Sequence, residues 1–504
     1  MTRIDGHVQP ADIARKFADN FNDVYQSIDS QAESILNDRF TSAYSVYNLE
    51  HANDDLNPHF ISWSEFLNCI VKIKTGKATG SFVKPQHVLH GSPLLSLHIH
   101  LLFNSLIQHG YVPHNFLGSI ITLVVKDSSG DLTESENNRP VALSSLFSQL
   151  FEHAILQKIG HLLHTDNLQF TFKEKHSASH ALFVLRESVD FFTLHGSNTF
   201  VAFLDCSKAF DKISHKGLFM KLIERNVPLC FVNILIYWLS NLTSRCRWAS
   251  CLSDAFPVTS GVKQGGVISP KLFNVYMDDL VALLRKAGVG CHVLSSFVGA
   301  IMFADDLALL APSRGAIQQL ISICETYCNE YCLSFNASKT KAMLFGSHFD
   351  KLTPSPLILN DLPIEYVLQW KYLGCLICAG KSLVFSNRND LCAFRRSANS
   401  IVTSIRKPNE HVLMMLLHTF SVPILTYACE AKTYSCSEML ECHVAVNDAI
   451  RRIFSFNRWE SIRHLRESFG FSDIYKIFSL RARRFIHSLR LIPNPVLHSL
   501  INCN

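Results

Sequence analysis

The chain has 504 residues, of which 48% are hydrophobic and 18% charged, below the roughly 25% charge of a typical soluble domain. That balance excludes a disordered tail, a collagen and an acidic scaffold, and gives length for roughly two to four domain-sized units. The net charge of +5 is unevenly placed: between 451 and 490 ten Lys and Arg face three acids, for a local +7.

The first forty residues read as an amphipathic helix after Pro10, with Ile13, Phe17, Phe21, Val24, Tyr25 and Ile28 at helical spacing. This helix brings no chemistry of its own. PLLSLHIHLLFNSLIQH (93–109) predicts a helix closed by Gly110. SIITLVVK predicts a strand that ends in the polar turn DSSGD, and from there to about 190 the pattern is mainly helical. NTFVAFLD (198–205) is apolar, β-prone and ends on an acid; SSFVGAIMF (295–303) does the same before Asp305 and Asp306. LALLAP suits a returning strand, so the acids fall at the turn of a hairpin. Ser269 and Pro270 are a good cap and first position for the helix KLFNVYMDDLVALLRKA, closed by Gly288. After 380 the chain reads as helical and basic. Acid-bearing strands alternating with amphipathic helices predict an α+β fold.

No apolar run reaches the ~18 residues of a membrane span, and the start MTRIDGHVQPADIARKF lacks a signal-peptide core. The expectation is a protein of the nucleus or cytoplasm, neither secreted nor membrane-bound. Of the 16 cysteines, only Cys375 and Cys378 form a CxxC pair, with no second pair at zinc-site distance. Cys324, Cys328 and Cys332 stand four apart and read as buried, reduced thiols.

Nucleotidyl transfer spreads charge over phosphate oxygens, which two divalent ions stabilise. Mg²⁺ takes oxygen ligands, usually one or two carboxylates plus substrate phosphates. Acids at the ends of rigid, adjacent strands suit that task, and Asp205 and Asp305 have this setting. One strand ending in Asp is as readily a loop cap; two narrow the choice without closing it.

FVAFLDCSKAFDKISH, GVKQGGVISPKLFNVY, IMFADDLALLAPS, LSFNASKTKAMLFGS and YLGCLI follow one another in the sequence. In this order they resemble the palm motifs of reverse transcriptases from non-LTR (LINE-type) retrotransposons. Upstream, KATG (77–80), IITLVVK, NRPVALSSLFSQLFEHAI and QFTFKEKHSASHAL resemble that family's fingers motifs. The resemblance covers roughly 72–375 and continues more weakly through VPILTYACE.

The resemblance implies a right-hand polymerase fold with an antiparallel palm sheet and RNA-templated DNA synthesis. It implies an N-terminal helical extension over 1–60 and a reverse transcriptase domain over 106–378. Fingers are expected over about 61–198 and palm over about 199–378, before a thumb-like basic region over 379–504. Asp205 and Asp305 would hold two Mg²⁺ ions, or Mn²⁺, helped by the backbone carbonyl of Cys206, with Asp306 as a third catalytic acid. Lys339 matches a lysine that protonates leaving pyrophosphate. Phe210 matches the aromatic that excludes a ribose 2′-OH; Gln264 and Gly265 border the incoming nucleotide, and Lys126 and Arg139 hold its triphosphate. From the residues alone, the glycines around Gln264 fit a plain turn equally well, and each of these cations fits a solvated surface.

For the basic end, a solvated helix face and a phosphate-facing surface built on Arg451, Arg452, Arg458, Arg481, Arg483 and Arg484 both fit. The implied partners are an RNA template, a DNA primer and dNTPs, and no membrane. Tyr276–Asp279 spell YMDD, the catalytic turn of retroviral enzymes, but lie in a run with helical apolar spacing. They are therefore assigned to a helix. Three fingers positions depart from the pattern: Ser81-Phe82 follows KATG, Thr171 stands where a glycine is expected, and Gln149 replaces a lysine. No nuclease pattern is visible, so an endonuclease acting in trans, a truncated copy or a domesticated gene are the alternatives. A nucleic-acid-binding relic and an RNA-copying polymerase are the rival activities; intact acids disfavour the first and Phe210 the second.

Overall fold

The computed structural model describes residues 3–26, 31–76, 78–80, 83–127, 130–347, 349–350, 354–404 and 409–503. Of the residues singled out above, Ile28, Lys77, Ser81, Phe82, Ser128 and Ser129 lie outside them. Strands of three or more residues are, in chain order, β1 (Gly118–Val125), β2 (Asn138–Ser144), β3 (Thr199–Asp205), β4 (Thr243–Trp248), β5 (Ala300–Phe303), β6 (Asp306–Ala311), β7 (Lys341–Phe345), β8 (Leu357–Leu359), β9 (Leu362–Tyr366), β10 (Gln369–Tyr372), β11 (Cys375–Cys378) and β12 (Val384–Ser386). Helices alternate with them along the chain, and no described helix is long and apolar enough to cross a membrane.

The chain packs as two compact units interleaved in sequence. The first comprises 1–166, 206–282 and 324–335; the second comprises 167–205, 283–323 and 336–504. Packing thus differs from the linear division drawn from the resemblance. The 1–60 segment is part of the first unit, and the 199–378 span divides after Asp205.

In the first unit, β1 pairs antiparallel with β2 and parallel with β4. β2 lies at the edge of this sheet and corrects the expectation of helix there. An edge strand tolerates Pro140, which has no N–H to give a ladder. The Pro10–Tyr25 helix packs on β4, with Phe17 stacked on Trp248 at 5.7 Å. The expected single N-terminal helix is divided, a second one running over Gln31–His51. The Pro93–His109 helix forms as expected, capped by the Ser92 hydroxyl and ended by Gly110 at φ +61°.

In the second unit a six-stranded sheet has the order β8–β9–β7–β3–β6–β5. β3 lies inside it, six of its seven residues buried. Pairing is antiparallel except between β7 and β9, where Lys341–Ala342 runs parallel to Glu365–Tyr366. The expected strand over 295–303 is interrupted: Ser296–Phe297 pairs with His292–Val293, and β5 begins only at Ala300. At the break Gly299 packs so closely on Phe297 that a Cβ there would stand 2.5 Å from the ring. The helix Ala178–Leu194 packs on β3 and β5. Beyond β12 the chain is helical, with its own core built from Phe394, Leu417, Val446, Ile450 and Phe478 among others.

Candidate active site

In the second unit, β3 delivers Asp205 at its last position, and the register places it opposite Asp306, the first residue of β6. Asp305 occupies the turn between β5 and β6. Ala304 enters that turn at φ +57°, a left-handed conformation costly for a residue with a Cβ. Its N–H is held by the Thr171 hydroxyl, which in turn donates to Gln169 Oε1 at 2.9 Å. The segment before Thr171 runs along β5, Phe170 N–H donating to the Met302 carbonyl at 2.9 Å. Thr171, a departure from the expected glycine, therefore supports the turn that carries the acids.

Asp205 also receives a hydrogen bond at its backbone carbonyl from Asn336 N–H, 2.8 Å. The Asn336 side chain accepts from Ser338 Oγ at 2.6 Å and Lys339 N–H at 3.2 Å, forming a local turn. That turn brings Lys339 Nζ to 3.7 Å from Asp205 Oδ2. Cys206 faces Phe335 in a bridge whose bonds are made by the flanking residues, so its own carbonyl is turned off that ladder. Burial, and then the charges of Asp305 and Asp205, push the Asp306 carboxyl up to about 6. Among the described residues no group of three or more His, Cys, Asp or Glu is placed to hold a metal ion unaided. Oxygen-only donors sharing excess negative charge nonetheless fit a Mg²⁺ ion that takes its remaining ligands from a substrate.

The first unit assembles the other group of candidates. Gln264 lies in the glycine-rich loop 261–266, and its carbonyl accepts from Ala142 N–H of β2 at 2.7 Å. Gly265, at φ +111°, leaves no room for a side chain: a Cβ would stand 2.9 Å from the Ala142 carbonyl oxygen. Gln264 Nε2 donates to Asp211 Oδ1 at 2.8 Å. The Phe210 ring stacks on Phe273 at 4.2 Å, and its carbonyl accepts from Val262 N–H at 2.8 Å. Beneath the loop, buried Glu152 accepts from Val267 N–H at 2.5 Å and Ile268 N–H at 3.0 Å. Lys263 is enclosed nearby, burial pulling its pKa down to about 8 against the pull of Glu152. Lys126 and Arg139 are exposed on the β1–β2 hairpin, Arg139 opposite Val124. Lys126 Nζ rests on the Glu136 carbonyl at 2.5 Å.

Tyr276–Asp279 lie within the Ser269–Lys286 helix, as expected. Asp278 accepts from Asp166 N–H at 2.7 Å and from Arg225 at 3.0 Å, and Asp279 pairs with Lys221. These acids are tied to structural cations.

The basic end separates into two classes. Arg481 is held by Glu430 at 3.2 Å and Thr426 at 2.9 Å, and Arg451 by Asp448 and the Glu460 carbonyl, both at 3.0 Å. Arg452 bonds Asn399. Arg458, Arg483 and Arg484 are exposed.

Sequence reasoning passes over Asp211 and Glu152, and names Thr171 and Tyr25 without these roles. Asp211 carried a signal as a second acid in SKAFD beside Phe210, and Thr171 as a departure from the expected glycine; the contacts of all four are long-range.

The sequence matches the family described as reverse transcriptase (RNA-dependent DNA polymerase) over residues 126–377. It is similar to the probable RNA-directed DNA polymerase from transposon X-element of Drosophila melanogaster, 24% identical over 417 residues, 78% of this chain and 44% of that protein. The retrovirus-related Pol polyprotein from type-1 retrotransposable element R2 of Nasonia vitripennis is 27% identical over 281 residues, 54% of this chain and 27% of that one. The RNA-directed DNA polymerase from mobile element jockey of Drosophila melanogaster is 23% identical over 463 residues, 87% of this chain and 49% of that one. The chain thus spans less than half the length of each of these relatives. Among solved structures, telomerase from Candida albicans is similar at 13% identity and a TM-score of 0.40, covering 79% of this chain and 71% of that one.

Proposed function

Since the chain belongs to the reverse transcriptase (RNA-dependent DNA polymerase) family, matched over half its length, we propose that it is the polymerase portion of a non-LTR (LINE-type) retrotransposon. It extends a DNA primer with dNTPs on an RNA template, using the family's α+β right-hand fold. The observation that carries this reading is the register that sets Asp205 opposite Asp306, with Asp305 in the adjoining turn.

In the reaction the primer 3′-oxygen attacks the α-phosphorus of the dNTP and loses its proton to solvent water. Pyrophosphate leaves with the electron pair of the broken P–O bond. Asp205 and Asp305, with the Cys206 carbonyl, would hold two Mg²⁺ or Mn²⁺ ions, which would supply positive charge at the attacking and leaving oxygens, and Asp306 stands beside them as a third catalytic acid. Lys339, 3.7 Å from Asp205, holds a proton at Nζ for the departing pyrophosphate. Phe210, braced by Phe273, is a fixed wall against a ribose 2′-OH. Gln264 and Gly265 border the incoming nucleotide, and Lys126 and Arg139 neutralise triphosphate charge.

The test is primer extension on an RNA template with dNTPs and Mg²⁺, run beside Asp305→Ala. Extension by the parent and none by the variant is expected. Equal extension by both would remove these acids from the chemistry.

A further inference from the structure

Tyr25 and Gln264 meet at one buried carboxylate. Gln264 Nε2 donates to Asp211 Oδ1 at 2.8 Å, and the Tyr25 hydroxyl hydrogen-bonds the same side chain. Asp211 is 5% exposed and Tyr25 4%. Burial pushes the Asp211 carboxyl above its usual range; with Oδ1 accepting from the Gln264 NH₂, the amide keeps Oε1 as the acceptor on its other side. The backbone repeats the link. The Tyr25 carbonyl accepts from Thr259 N–H at 3.1 Å and Ser260 N–H at 2.9 Å, the two residues that lead into the glycine loop. The approach is close enough that a Cβ on Gly261 would stand 2.6 Å from the Asp211 carbonyl oxygen. The Pro10–Tyr25 helix lies outside the 126–377 stretch that the family covers, yet it ends on the residue that fixes this loop.

We infer that Tyr25 and Asp211 are positioning residues for the incoming nucleotide, holding the Gln264 amide in one orientation, so that the N-terminal helix contributes to dNTP affinity. The inference rests on the reading of Gln264 as a neighbour of the nucleotide. Neither Tyr25 nor Asp211 need touch substrate: a buried, two-donor carboxylate restricts the amide rotamer, and the loop backbone follows.

The experiment uses the full chain on an RNA template with a dideoxy-terminated primer, so that the Kd for the next dNTP is read without chemistry. Tyr25→Phe removes one hydroxyl and keeps the ring in its site. It is expected to weaken dNTP binding about 3- to 10-fold, the value of one hydrogen bond. Gln264→Ala should weaken it at least as much, and the double variant no more than Gln264→Ala alone. Asp211→Asn keeps an acceptor for the amide and should lose less than Asp211→Ala. Additive losses in the double variant would make Tyr25 a packing residue and overturn the inference. So would unchanged binding by Tyr25→Phe where Gln264→Ala binds weakly, or equal losses in the two Asp211 variants. Parental binding by Gln264→Ala would instead overturn the reading of Gln264, and the inference with it.

Discussion

Single side chains carry the turns of this molecule, and His215 shows what that means for acid stability. The ring is 6% exposed and its Nε2 bonds the Gly261 carbonyl at 2.8 Å, at the start of the glycine loop. Burial, helped by the charge of Lys216, lowers its pKa to about 4. An unfolded chain takes up this proton as pH falls below about 6.5, whereas the folded chain resists until about 4. Stability contributed by neutral His215 is therefore present above 6.5 and lost as pH falls from 6.5 toward 4. His215→Gln retains an N–H donor for Gly261 without the titration. Urea unfolding from pH 7 to pH 4.5 should show a pH slope shallower in the variant by about 1.4 kcal/mol per pH unit. Parallel slopes for parent and variant would mean that His215 is protonated in the fold. Its sequence context, KISHKG, gives no hint of this, because the partner carbonyl is 46 residues away. Thr171 is illegible for the same reason: its hydroxyl serves Ala304, 133 residues on. The positions of Asp205 at a strand end and Asp305 in a strand turn are legible because apolar strands run into them.

At the scale of elements, periodicity separates two acid pairs that composition does not distinguish. Asp305 and Asp306 have strands on both sides, while Asp278 and Asp279 sit in a helix whose apolar residues recur every three to four positions. Opposite mutational signatures follow. Asp279→Ala leaves Lys221, 1% exposed, without its carboxylate partner, although the ammonium still lies 4.1 Å from the Tyr331 ring centroid. Removing one member of a buried pair is destabilising, here by roughly 2 kcal/mol because Asp279 is itself partly exposed. Asp305→Ala relieves like-charge crowding instead, so it should abolish extension with no loss of thermal stability. Melting curves and primer extension on both variants check this; a stable, inactive Asp279→Ala would put the helical pair back among the catalytic candidates. The same periodicity argument failed at β2, where NRPVALS runs straight into a helical pattern and its edge position is set by pairing with β1. It failed again at Val298–Gly299, where a continuous β-prone run divides into Ser296–Phe297, paired with His292–Val293, and the strand from Ala300.

Over the whole molecule, the sequence locates the basic charge but does not tell which cations are engaged within the chain. Arg481 is held by an acid 51 residues earlier, Glu430, which also accepts from Ser179 Oγ at 2.7 Å. Arg458, Arg483 and Arg484 are exposed in the same basic stretch. A phosphate-binding role therefore belongs with these three ahead of Arg451 and Arg481. Each phosphate neutralised on a duplex steepens the dependence of log affinity on log salt by about 0.9. Replacing Arg458, Arg483 and Arg484 together with Ala should make that slope shallower by about 2 to 3 for a primer–template duplex. Arg481→Ala removes an internal partner of Glu430 and should lower thermal stability while moving the slope by less than about 1. Titrations of these variants from about 50 to 300 mM salt, over which log affinity is linear in log salt, distinguish the two classes. A slope unmoved by the triple variant would return the basic end to a solvated helix face, with duplex binding carried by other residues.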